Sequence, residues 1–499
     1  MITALVAVVA AMSGLNVAQQ DLAIDLGASQ GDVLWIINAY TVALAALLLP
    51  VGAIGDRWGR KSVLLTGLAV FGVASIGAVL ATTTVTMIVA RVVAGTGAAM
   101  IMPVTLSIIT SSFPPQDRAK AIGVWAGFAG AGGMIGLFVS AFMIDVLTWR
   151  WVFALPLALV AVSSVMTARF APNTREASDH RFDTIGSILS ALAIGGLVLG
   201  IHEGPEKGWS DPLTLLGLAI GIVALLAFVV WERRQAEPLL DITAFRDRGL
   251  AAGTLTLLIV FGVMFGIFLV LYPFFQAVLG WSALTAAAAL LPMAGVMMPM
   301  STIAPRIAAR IGKRNTMVSG VAIFAAGLAT LALRASVEGG YMSVLPGLVI
   351  IGLGMGITMT PATEAITETL PADKQGVASA INDTSRELGG AIGVALLGSV
   401  LSSGYKSAIE PALAGLPTEL SGPASDGIGS AFAVAAQAGD QGPMIIDAAK
   451  HAFVDGWVQS MWLGVGMAAV ALVYLVLRGP VRPTVGELDE RVDEIVGVG

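Results

Sequence analysis

Six ionisable side chains lie within, or at the rim of, long apolar stretches of this 499-residue sequence: Asp21, Arg91, Glu364, Asp383, Arg386 and Glu387. A carboxyl among apolar residues is costly to ionise, so it can load a proton or bind a cation. Asp383, Arg386 and Glu387 stand at i, i+3 and i+4, on one helix face, where the arginine can pair with either acid and leave the other less compensated. The trio is read either as a proton relay or as a static salt bridge that fixes packing. Glu364, set among Met, Thr, Pro and Ala, either loads a proton or snorkels to the headgroups beside Glu368. Asp21 lies at a depth comparable with Arg91 and offers a partner for it.

A second set is polar or amphipathic within apolar runs: Asn16, Trp35, Asn38, Tyr40, Tyr272, Gln276 and Asn382. These are the expected substrate surface, with helix-packing glue as the alternative for the isolated amides and interfacial anchoring for Trp35. The surrounding Met, Leu and Phe would form an adaptable apolar wall suited to several amphipathic compounds. Other chemistries lack their residues. There is no Cys, which excludes disulfides, thiolate metal sites and cysteine nucleophiles, and His180, His202 and His451 are too far apart to suggest a metal cluster. No nucleotide loop, catalytic triad or basic stripe with interleaved aromatics is present, so neither an enzyme, a cofactor nor a nucleic-acid partner is expected.

The elements that must position these residues follow from composition. Hydrophobic residues make up 56% and charged residues 12%, against about 25% charge in soluble domains. With a mean hydropathy of +0.86, the solvent for most of the chain is lipid. Continuous apolar runs of about 20 residues, without strand alternation, then demand helices. Fourteen runs can be marked, near 2 to 20, 33 to 54, 62 to 82, 86 to 110, 121 to 145, 150 to 169, 184 to 202, 213 to 231, 250 to 278, 283 to 304, 316 to 335, 343 to 367, 376 to 401 and 456 to 477. The first begins at Met1 without a basic leader and reads as a retained helix rather than a signal peptide. Arg57, Arg60, Lys61, Arg118, Lys120, Arg169, Arg175, Arg181, Arg233, Arg234, Arg246, Arg248, Arg306, Arg310, Lys313, Arg314, Lys374, Arg478, Arg482 and Arg491 fall on one face of this layout, against Arg150, Lys207, Arg334, Lys406 and Lys450 on the other. The positive-inside rule makes the first face cytoplasmic and places both termini there.

A repeat appears in two loops of that face. Residues 52 to 61 (GAIGDRWGRK) align with 305 to 314 (PRIAARIGKR), with Arg, Gly and the basic pair in register. Treating runs 7 and 8 as an insertion gives an N-terminal six-helix bundle (1–170), two inserted helices with linkers (171–249), a C-terminal six-helix bundle (250–480) with a long extracytoplasmic loop (402–455), and a cytoplasmic tail (481–499). The loop is too polar to span, and its Ala-rich stretch near 430 to 438 could lie on the membrane surface. In the first loop, Gly52 and Gly59 permit close approach and a tight turn. Asp56 can sit at a helix N-terminus or accept from Arg118, and Arg57, Arg60 and Lys61 can meet phosphates or opposing carbonyls. Such contacts would hold one of two states of a gate.

The loop from Gly52 to Lys61 resembles the G-x-x-x-D-R-x-G-R-[KR] motif of the major facilitator superfamily. Further pieces are similar to its fourteen-helix drug:proton antiporter branch, the EmrB/QacA-like exporters: residues 34 to 40 (LWIINAY), Arg91 with Gly95 and Gly97, Trp149 to Trp151, Trp231 to Arg233, Tyr272 to Gln276, and Arg386 to Gly390. The resemblance implies a monomeric, proton-coupled, alternating-access exporter of hydrophobic or cationic drugs in the bacterial cytoplasmic membrane, with protons, lipids and a small molecule as partners. Arg91 is similar to the helix 4 arginine that the family is thought to use in proton transfer. Departures stand at helix 1, where Ala11 and Ser13 replace the usual Asp-x-Thr and Gln19 and Gln20 follow Ala18. In helix 5 the Gly-Pro becomes Gly136 and Leu137, and the later Gly pair becomes Ser140 and Ala141. In helix 2, Asn38 replaces the acid of the QacA-like subgroup. These departures keep open a facilitator or exporter of an endogenous metabolite, and, further off, a sensor on a transporter scaffold.

Overall fold

The computed structural model describes residues 1–172, 174, 182–414 and 417–480. Among them, fourteen helical segments are long and apolar enough to cross a membrane. They are α1 (Ile2–Leu26), α2 (Gln30–Trp58), α3 (Arg60–Val79), α4 (Thr84–Ser112), α5 (Pro115–Val146), α6 (Ala154–Phe170), α7 (Thr184–Lys207), α8 (Pro212–Glu232), α9 (Arg248–Pro273), α10 (Leu291–Ile311), α11 (Lys313–Arg334), α12 (Gly340–Thr369), α13 (Gln375–Leu413) and α14 (Gly442–Arg478). Polar caps start several of them: Ser29 with Asp32 and Thr83 with Thr86 form capping boxes on α2 and α4, while Asp211 and Asp247 accept the first free amides of α8 and α9.

The loop repeat is reproduced in backbone geometry. Gly59 joins α2 to α3 at φ 102° and Gly312 joins α10 to α11 at φ 87°, each ending one helix and starting the next. L side chains avoid that region, so these two turns require glycine. Basic residues after the turn repeat as well. Lys61 donates to the Ala168 carbonyl at the end of α6 (2.8 Å), and Arg314 donates to the Leu475 (3.1 Å) and Val476 carbonyls at the end of α14. The packing partners match too: α3 lies on α4 and α6 as α11 lies on α12 and α14, and α1 lies on α5 as α9 lies on α13.

Glycine decides how close the helices come. α7 and α8 pack through Gly196 and Gly200 against Gly217 and Gly221, where an added Cβ would strike the opposing backbone. Lipid gives helices little reason to associate, so such backbone-to-backbone contact carries much of the attraction. The same device operates between α9 and α13 at Gly262 and Gly393, and between α2 and α13 at Gly52 and Gly376. The seam between the first six helices and the last six is formed by α2 with α13 and α5 with α10, with α4 on α13 and α5 on α12.

Two expectations change. Most of the segment read as a loop at 402–455 is helical: α13 runs to Leu413, two short helices (Thr418–Ser425 and Ile428–Ala435) follow, and α14 starts at Gly442. At 39 and 37 residues, α13 and α14 outrun a hydrocarbon core of about 30 Å, so polar character marks helix beyond the membrane rather than loop. The Ala-rich stretch buries Ile428, Ala431, Val434 and Ala435 against α14 instead of presenting them to lipid. The run 250 to 278 ends in a π-helical turn, Phe274–Val278, and the tenth span is broken, a short helix Ala283–Ala288 preceding α10. His180, Arg175, Arg181, Arg482 and Arg491, together with the tail 481–499, lie outside the described residues.

Gly393→Leu, which forces a side chain into the Gly262 backbone, is expected to cost about 1–3 kcal/mol. Gly466→Ala, whose Cβ meets nothing within 4 Å, should change stability by less than about 0.5 kcal/mol. Thermal unfolding of the detergent-solubilised chain by tryptophan fluorescence checks the pair, and equal shifts would refute the packing argument.

Candidate functional site

Charged side chains gather at three levels of the bundle. At the basic end, Asp56 in the last turn of α2 reaches across the seam to the start of α13. Its carboxylate accepts from the Gly376 amide (2.9 and 2.7 Å) and the Val377 amide (3.3 Å), and from Arg60 Nε (3.0 Å) and Nη2 (2.6 Å). Asp56 is only 6% exposed, so these donors and the positive end of α13 replace its water. Arg60 also donates to the Ala372 carbonyl (3.3 Å), giving the first helices two holds on the last six. Of the two partners open to Asp56 from sequence, the helix N-terminus is the one adopted. Arg118 is not a partner, and its Nε lacks an acceptor.

The repeated loop does something different with the same charges. Ala309 stands where Asp56 stands in the first copy, so Lys313 turns to α12, where its ammonium lies 3.5 Å from Glu364 and also pairs with Glu368. Glu364 is 3% exposed and its Oε1 has no partner. It does not snorkel free beside Glu368; Lys313 comes to it from the neighbouring helix.

At mid-depth a chain of hydrogen bonds links α12, α13 and α5. Thr363 donates to Asn382 Oδ1 (2.9 Å), Asn382 Nδ2 donates to Asp383 (3.0 Å), and Arg386 lies 3.4 Å from the same Asp383 oxygen. Arg386 also donates to the Ala129 carbonyl (3.2 Å), its guanidinium 4.3 Å from the Phe261 ring centroid and 5.7 Å from that of Trp125. The arginine therefore chooses Asp383 over Glu387. Asp383 Oδ2 and Arg386 Nε remain without partners, a cost that a water-filled state of the seam would remove. Asn382, expected on the substrate surface, is fully buried in this chain of bonds.

Toward the opposite end, Arg91 of α4 is 1% exposed. Its Nε donates to the Ile36 carbonyl (3.1 Å) and Nη1 to the Ala11 carbonyl (3.4 Å), and the guanidinium lies 4.3 Å from the Tyr40 ring centroid. Asp21 is exposed, so the expected Arg91–Asp21 pair does not form. Helix carbonyls retain a second lone pair, and two of them replace the missing acid. Tyr40 is held too, donating to the Val8 carbonyl (3.0 Å). The acid that does find a basic partner near the end of α1 is Asp25, which the sequence reading missed: it pairs with Arg150 (2.6 Å) and accepts from Trp149 Nε1 (3.1 Å). The signal was the Trp149–Trp151 motif, which had no partner assigned.

The remaining candidates are scattered. Asn16 and Gln276 are exposed, Tyr272 donates to the Ala283 carbonyl (3.2 Å), and the Trp35 ring centroid is 5.9 Å from the Lys207 ammonium. Asn38 faces α7, where Oδ1 is 3.2 Å from His202 Nδ1. His202 and Glu232 were read only for a metal cluster and a family motif, and the buried Glu203 not at all, because all three lie near the ends of apolar runs, where charge normally meets water. Among the described residues no group of His, Cys, Asp and Glu is placed to hold a metal ion.

The arrangement joins the two sides of the bundle by polar contacts, and comparisons with known proteins say what kind of molecule this is. The family model described as Major Facilitator Superfamily matches residues 1–394. The multidrug resistance protein Stp of Mycobacterium tuberculosis is 30% identical over 400 residues, 80% of this chain and 74% of that protein. The multidrug efflux pump LfrA of Mycolicibacterium smegmatis is 32% identical over 438 residues, covering 87% and 86%. Among solved structures, the human organic anion transporter MFSD10 superposes with a TM-score of 0.62 at 11% identity, covering 95% of this chain and 97% of its own, a likeness of fold alone. The chain is a multi-pass membrane transporter, not an enzyme, and it belongs to the major facilitator superfamily.

Proposed function

We propose that this chain is a proton-coupled efflux transporter that exports hydrophobic compounds, cations among them, by alternating access across the bacterial cell membrane. The relatives named for multidrug resistance and efflux support the cargo class. The observation that carries the mechanism is the grip of Asp56 on the α13 amides, a charged contact made across the seam at the basic end. In this reading the basic end is cytoplasmic and closed, both termini lie on that side, and the protein works as a monomer. The first and last six helices rock about the α2–α13 and α5–α10 seams, with α7 and α8 inserted between them.

Coupling follows from competition. Protonating Asp383 removes the charge paired with Arg386, and protonating Glu387 neutralises the buried acid that Arg386 leaves unpaired on the same helix, while substrate binding favours the state in which the charge is kept. Each ligand shifts the equilibrium only by its differential affinity. The facilitator reading has one observation in its favour: Arg91 meets two helix carbonyls and no acid, with its Nη2 left unpartnered. Both readings meet the same experiment. In proteoliposomes loaded with a fluorescent drug, uphill export should stop when nigericin collapses the pH gradient, and export that persists uphill rejects proton coupling.

Two substitutions divide the roles. Asp56→Asn removes the charge from the cross-seam grip and should lower initial export rates on the order of tenfold with normal membrane insertion; unchanged rates would remove the gate. Glu387→Gln should abolish gradient-driven accumulation while downhill flux of the same drug continues. Full uphill activity in that variant would place the proton elsewhere.

A further inference from the structure

The inserted hairpin takes part in none of the steps above, yet α7 packs on α2 and on α13, covering one side of the seam between the two sets of six helices. Ala45, Val198 and Ala391, one residue from each of the three helices, form a small apolar core there, with Val42 against it. One turn beyond Val42 and Val198 the contact becomes polar. His202 Nδ1 lies 3.2 Å from Asn38 Oδ1, and the Lys207 ammonium lies 2.7 Å from Glu203 and 5.9 Å from the Trp35 ring centroid. Asn38 is 6% exposed, and its Nδ2, at the far side of the amide from the bonded oxygen, has no acceptor. A buried amide N–H2 is expensive to leave unanswered, and here nothing in the protein answers it.

We propose that His202 and Asn38 form a hydrogen-bonding subsite, built jointly by the inserted hairpin and α2, that receives a carbonyl or hydroxyl oxygen of an uncharged aromatic substrate at Asn38 Nδ2. The inference rests on the efflux reading above and narrows its cargo. His202 donating to Oδ1 fixes the amide so that its donor end is the one presented. Glu203, next to His202 on α7, is already taken up by Lys207, so it offers a cation no free charge, whereas Asn38 offers an acceptor oxygen a ready donor. Buried polar groups that need a partner discriminate strongly between ligands that supply one and ligands that do not.

The test uses the full chain in proteoliposomes with two probes: Nile red, a neutral dye with a ring carbonyl, and tetraphenylphosphonium, a cation with no hydrogen-bonding group. The readout is the ratio of their apparent affinities, which a general loss of folded protein or driving force does not move. His202→Ala and Asn38→Leu are expected to lower the Nile red preference about fivefold to tenfold, the worth of one hydrogen bond. His202→Gln, which can still donate to Asn38, should restore most of it, and Asn38→Asp should turn the preference toward the cation. A ratio that stays put in both His202→Ala and Asn38→Asp, with both dyes exported by the unaltered chain, overturns the subsite alone. An unaltered chain that exports neither dye overturns the efflux reading, and the subsite with it.

Discussion

A charge held away from water must be answered by other charges or dipoles, and this constraint organises the interior of the protein. Asp56 is answered by Arg60 and two amides of α13, Arg91 by two helix carbonyls and the face of Tyr40, and Arg386 by Asp383, the Ala129 carbonyl and the face of Phe261. Much of the answer is backbone. Helix carbonyls keep a lone pair free after their own hydrogen bond, and helix N-termini keep free amides, so main chain solvates charge where lipid cannot.

Because the answering groups sit on different helices, charge balance depends on helix arrangement. Asp56 and Arg386 each take part of their answer from across the seam, so sliding or tilting one side against the other would remove that part. A bundle with such contacts is bistable rather than smoothly deformable, since intermediate positions leave charges unanswered. Asp383 Oδ2 and Arg386 Nε are among the buried atoms already without a partner in this arrangement.

Close approach makes this solvation available. Carbonyls can reach a neighbouring helix's side chains only where backbones come near, and glycine at Gly52, Gly376, Gly262 and Gly393 removes the Cβ that would hold them apart. The two copies of the basic loop show how one substitution redirects a design. With an acid at position 56 the loop grips α13, whereas with Ala309 in its place Lys313 seeks Glu364 and Glu368 on α12. The turn, its glycine and the hold on the helix end are common to both.

The sequence by itself determined the medium, the helix count and the repeated glycine turn, because apolar run length and the φ demanded at Gly59 and Gly312 are local properties. It also determined which ionisable groups are costly, since Arg91, Glu364, Asp383, Arg386 and Glu387 stand in apolar surroundings whatever the packing. Their partners were another matter. That Asp56 meets Gly376 rather than Arg118, that Arg91 meets carbonyls rather than Asp21, and that Asn38 meets His202 were decided by tertiary structure alone. Those partners are 320, 55 and 164 residues away, and two of the three involve main-chain atoms, which every residue possesses and no sequence pattern marks.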